Sequence, residues 1–247
     1  MFDKLKTVMK TLGLRGEDPI TTRKDLVSFI DSRAAYVSQV TLYTYVKARA
    51  GTQYPKLFAN TDFLTSLKIA RWHIYGAAVS DLTLFSAAQL YVHAEFSAEK
   101  AQAFATSILD DILPNYPQDD IDNSQFDEMC ARGKQRATMA DWGSIATGPA
   151  AFQSSSDAVF RWAPIADELK CDDEEIVRNS IHLRWIGVRR DLKEVFQHTA
   201  IADDWRHQNL SIWYSIISKQ RASSMYKKRN FSCPKSPQLD HLSQKQK

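Results

Sequence analysis

The sequence predicts an all-α fold in which a long antiparallel helical hairpin packs with several shorter helices, followed by a disordered basic C-terminal tail. Three observations lead there. Gly and Pro number only 8 each in 247 residues, too few for the turns of an all-β chain of this length. Apolar residues recur at three- and four-residue steps through long stretches, the period of one helix face. Basic residues gather at the end: residues 219–247 hold eight Lys or Arg against Asp240 alone. The whole chain is only +3, so the body before that segment is net acidic.

The elements follow in order. Phe2, Leu5, Met9 and Leu12, with Lys4, Lys6 and Lys10 between them, predict a short amphipathic helix over 2–12 that docks on the body or makes a weak, reversible membrane-surface contact. The same lysines leave no continuous apolar run of the kind a secretory signal needs. Gly13, Gly16 and Asp18-Pro19 break the chain. Thr22 with Asp25 three residues on resembles a capping box and opens a helix over 23–49. Leu26, Phe29, Ile30, Val37, Val40, Leu42, Tyr43 and Val46 give that helix its core face, and Gly51 is placed to end it. Asn60 or Thr61 caps a second long helix over 62–94. Two long helices joined by so short a connection fold back on each other as an αα-hairpin.

Ser97 caps a helix over 98–113, and the proline-containing acidic stretch Pro114–Asn123 is the best internal loop, marking a subdomain boundary near 114–123. A helix over 124–140 follows, and Gly143–Ser156 reads as irregular. Ser156 or Asp157 caps a further helix, which Pro164 interrupts. Asp172 or Asp173 then caps a helix over 174–197, with Val177, Ile181, Val188, Leu192 and Val195 along one face. A last helix covers 199–225. The expected organisation is a single helical domain over 1–226 and a disordered basic tail over 227–247.

Most catalytic and metal-binding arrangements are missing. Cys130, Cys171 and Cys233 lie far apart and form no CxxC pair, so neither a disulfide framework nor a local zinc site is expected. The compartment is expected to be reducing and the location cytoplasmic. No GxSxG elbow exists. Ser97 and Lys100 satisfy SxxK formally, but Ser97 is more simply a helix cap. His93-Ala-Glu95 resembles the HxE of zinc deaminases without the PCxxC that should follow. Glu194/His198 and Asp203/His207 are i, i+4 pairs on helix faces, short of a metal motif. No metal and no cofactor is expected. The most apolar stretch, Ile74–Val92, is interrupted by Asp81 and Gln89. An Asp at a span centre costs about 2.5–3.5 kcal/mol, so the stretch reads as a buried helix rather than a transmembrane segment.

Asp81 is the first residue to examine, because a buried carboxylate must be paired, hydrogen-bonded or neutralised. A hairpin closing near residue 55 sets position 81 against positions near 30, which makes Arg33 the expected partner. On the same hairpin, His73, Trp72, Tyr75 and Tyr36, with Tyr43 and Tyr45, would form an aromatic ligand pocket or an aromatic core. In the tail, Lys227, Lys228 and Arg229 lie between Tyr226 and Phe231, a cluster suited to weak contact with an anionic membrane surface or a nucleic acid.

The functional expectation is a non-catalytic helical interaction protein, an adaptor or assembly factor that binds another protein. It rests on the missing catalytic motifs and on abundant Trp and Tyr, types favoured at interface hot spots. The alternative is an esterase-like hydrolase with a non-standard site in the helical core.

Overall fold

The capping box expected at Thr22 is formed: the Thr22 hydroxyl accepts from the Asp25 amide, and the Asp25 carboxylate accepts from the Thr22 amide. It opens α1, Arg23–Ala50. Gly51, at φ 49°, ends that helix, its amide donating to the Lys47 carbonyl. A positive φ costs Gly nothing, and any other residue here would be strained. A 3-10 turn and the short α2, Tyr54–Leu57, lead to Asn60, whose side chain caps α3, Thr61–His93. The computed structural model describes residues 18–115, 121–208 and 210.

The hairpin is antiparallel. Tyr75 of α3 donates to Asp31 of α1 at 2.7 Å, while Tyr43 lies at the hairpin's closed end against Phe58. Ser97 caps α4, Ala98–Ile112, through the Lys100 amide, which accounts for the SxxK match without chemistry. Then come α5, Asn123–Thr138, α6, Trp142–Thr147, a 3-10 turn over Pro149–Phe152, and α7, Gln153–Trp162. α8 runs Asp167–Val195, and residues 198–208 are helical. Among the described residues the β structure is one isolated bridge, Ile20 with Phe196.

α3 is the axis of the fold. From Trp72 to Leu90 every residue except Ala77 is buried, and α1, α4, α5, α6 and α7 all touch it. That explains a sequence apolar all round rather than along one stripe. Gly76 lets α5 approach closely, since a β-carbon there would overlap the Met129 side chain. α8 lies further out, packed on α1 and α7. The elements on both sides of 114–123 pack against α3. By compactness the chain divides between Trp205 and Arg206.

Three expected boundaries move. The segment read as irregular, 143–156, holds α6, the 3-10 turn and the start of α7. α7 opens before the expected caps Ser156 and Asp157, because its capping acceptor comes from elsewhere in the chain. α8 opens at Asp167, ahead of Asp172 and Asp173, and its N-cap residue Ala166 offers no side-chain signal. The helix expected at 2–12, the remainder of the last helix beyond 210 and the tail at 227–247 lie outside the described residues.

Candidate functional site

Asp81 is fully buried, and its partner is Arg136 of α5, not Arg33. Its Oδ1 lies 2.7 Å from Arg136 Nη2, and Arg136 Nη1 donates to Ser80 Oγ at 2.8 Å. The expected Asp81–Arg33 pair fails for a geometric reason. Tyr75 faces Asp31 across the hairpin, and Asp81 sits roughly 120° round α3 from Tyr75. It therefore points away from α1, while Arg33 reaches Asp191 of α8 at 3.8 Å.

The other carboxylate oxygen caps a helix. The Ser155 amide, in the first turn of α7, donates to Asp81 Oδ2 at 2.8 Å. The α7 N-cap residue, Phe152, makes no side-chain cap of its own. Asp81 thus does from α3 what an N-cap side chain does locally, and its negative charge meets the positive end of the α7 dipole. The Ser155 hydroxyl donates to the Phe152 carbonyl (3.3 Å) and accepts from Trp185 Nε1 of α8 (2.9 Å). The Trp185 ring stacks on Phe152 with centroids 4.6 Å apart. One buried chain of polar contacts therefore ties α5, α3, α7 and α8 together. Burial pushes the Asp81 carboxyl above its ordinary range, while the Arg136 charge and the Ser155 contacts pull it down.

Of the two arrangements expected for the hairpin's aromatics, the core accounts for Trp72, Tyr75 and Tyr45, which are buried, and Tyr36 stands outside it. Tyr36 is 52% exposed. Trp72 and Tyr75 meet edge to face at 5.9 Å within one helix, and the Tyr75 hydroxyl is taken by Asp31. His73 turns to another side and stacks flat on Trp162 of α7, 3.5 Å between ring centres. The hairpin's aromatics divide because residues 72, 73 and 75 point in different directions from a helix that is buried all round. Burial lowers the pKa of His73, and the Arg132 and Arg161 charges lower it further.

Beside His73 a cleft of about 270 Å³ opens between α3, α5 and α7, lined among others by Arg132, Arg136, Asp157 and Arg161. Its charged groups are largely matched. Arg132 pairs with Glu128, Arg136 with Asp81, and Asp157 with Arg178. Near the end of α8, His198 rests against His93 with ring centres 4.8 Å apart, and burial together with His93 lowers its pKa. Among the described residues no group of three potential metal ligands converges, and no helix is long and apolar enough to cross a membrane.

The feature missed from the sequence lies on α8. Its inner face, Val177, Ile181, Trp185, Val188, Leu192 and Val195, is buried. Leu169, Ile176, Leu183 and Ile186 are 45%, 70%, 67% and 48% exposed. At 100° per residue these four lie roughly 150° round the helix from the inner face. The spacing was there to be read: Leu169, Ile176 and Leu183 recur every seven residues, and Ile186 follows at the three-residue step. A separate groove of about 570 Å³ lies between α7 and α8, lined in part by Ser156, Arg178, Asn179 and His182, and Leu169, Ile176, Leu183 and Ile186 do not line it.

Comparison with protein-family models, with curated proteins and with solved structures finds no match to this chain.

Proposed function

We propose that the chain is a non-catalytic helical interaction protein, an adaptor or assembly factor, that docks a helix on the outer face of α8. The observation that carries this reading is the two-faced character of α8. Its inner face already fills the core, while Ile176 and Leu183 on the outer face stand mostly outside it and need a different explanation. Heptad spacing of Leu169, Ile176 and Leu183 is what a helix–helix seam requires. The test is affinity capture with wild type and with Ile176→Glu/Leu183→Glu. A partner held in stoichiometric amount by wild type and lost from the double variant is expected; equal capture by both would sink the proposal.

The hydrolase alternative has weaker support. The Asp81 oxygens and the Ser155 hydroxyl are already committed to Arg136, the α7 amide, Phe152 and Trp185, so neither is poised as base or nucleophile. A cytoplasmic location belongs to the same proposal, in keeping with free thiols at Cys130 and Cys171. Lys227, Lys228 and Arg229 would add a weak contact to an anionic membrane surface or a nucleic acid, one that fades as salt is raised.

A further inference from the structure

Resting on the reading of this face as a docking surface, we infer that the helix it receives is α8 of a second copy of the chain, running antiparallel. The argument is charge complementarity and register. On the outer side, the N-terminal half of α8 carries Glu168, Asp172 and Glu175. The C-terminal half carries Arg190 and Lys193; Arg190 lies 3.2 Å from Asp191 and 4.0 Å from Glu194 of its own helix, exposed pairs that cost little to exchange. A parallel partner in register would set acid against acid. An antiparallel partner sets each acidic half against a basic one.

One register satisfies the whole stripe. In antiparallel seams each heptad a residue meets a d residue of the other helix. With Leu169, Ile176, Leu183 and Arg190 as a, the d residues are Asp172, Asn179, Ile186 and Lys193. A two-fold axis near residue 181 then sets Ile176 on the partner's Ile186 and Leu183 on the partner's Asn179. It also sets Asp172 against the partner's Arg190, and Leu169 under the aliphatic stem of the partner's Lys193. Symmetry repeats each contact, so the apolar centre is closed at both ends by an ion pair. Among the described residues, Ile176 and Leu183 are 70% and 67% exposed, and a Cβ at Gly187 on the same side would meet nothing within 4 Å. Residues 169–193 span roughly 36 Å. A two-helix contact of that length falls at the small end of specific interfaces, below about 1,200 Å² in total. The dimer is accordingly weak, with a dissociation constant in the micromolar range.

Sedimentation equilibrium of the full chain over a range of protein concentrations tests this. Wild type is expected to approach twice the monomer mass of 28.1 kDa. Leu183→Glu should remain monomeric with an unchanged circular dichroism spectrum. Asp172→Arg should weaken the dimer by more than about tenfold, and Asp172→Arg/Arg190→Asp should recover most of that loss. A wild type that stays monomeric well above micromolar concentration overturns the inference. So does a dimer indifferent to Leu183→Glu, or a double charge reversal weaker than the single one. A dimer that forms only after residues 211–247 are removed also overturns it, because that segment of the same chain would then be the occupant. If the full chain is monomeric yet captures another protein through Ile176 and Leu183, the second copy is excluded and the docking face stands. If the chain is monomeric and captures nothing, both fail.

Discussion

α3 and α8, of 33 and 29 residues, are the two longest helices among the described residues, and they manage apolar surface in opposite ways. α3 buries all its sides from Trp72 to Leu90 and accepts a carboxylate, Asp81, at its centre. That carboxylate is tolerable because Arg136 and the Ser155 amide take its two oxygens. α8 buries one face and leaves four large aliphatic side chains in water on the other. Polar groups in the core of α3 thus serve the fold, and apolar groups on the outside of α8 do not. The contrast separates residues whose loss should unfold the chain from residues whose loss should leave it folded and alone.

Asp81→Ala should break the first half of that contrast most severely. It strips Arg136 of its counter-charge, orphans the Ser155 amide and leaves a cavity. A loss of about 3–5 kcal/mol is expected, read as a lower midpoint in urea. Trp185→Phe is milder. It keeps the stack on Phe152 but removes the indole N–H from Ser155 Oγ, and about 1–3 kcal/mol should go in the same assay. His73 sharpens the comparison through pH. Its folded pKa is lowered, so the unfolded chain takes up the proton first, and stability falls as pH drops through the ordinary histidine value of about 6.5 toward the lowered one. His73→Phe keeps an aromatic partner for Trp162 and should flatten that part of the stability profile; an unchanged slope would remove His73 as its source. The smallest effect belongs to the outer face. Leu183→Glu should alter the unfolding free energy of the monomer by no more than about 0.5 kcal/mol. A larger loss would mean that the face is part of the core after all.

Local signals in the sequence placed the helices well wherever the signal is itself local. Thr22 with Asp25, Asn60 and Ser97 each cap the helix they precede, and Gly51 ends α1 as its position implied. The failures share a cause. α7 starts without a capping side chain of its own because Asp81 supplies one from α3, and α8 starts behind Ala166, which cannot cap at all. Asp81 itself was legible as an acid that needed a partner. Which partner was not, since the direction of a side chain from a helix buried all round depends on packing that no periodicity encodes. The outer face of α8 was legible in principle. Its seven-residue spacing was masked by the stronger inner stripe of Val177, Ile181, Val188, Leu192 and Val195.

The Asp81–Ser155 contact joins positions 74 residues apart. Since it provides the capping acceptor that the α7 start otherwise lacks, α7 cannot be secured while it emerges; it must wait until the Asp81 segment has found its place beside it. Closure of so long a loop is slow compared with forming a helical turn. This one bond makes the start of α7 depend on the hairpin, since its capping acceptor is present only where the Asp81 segment already lies beside it. A peptide covering 149–166 alone should be largely unstructured in water.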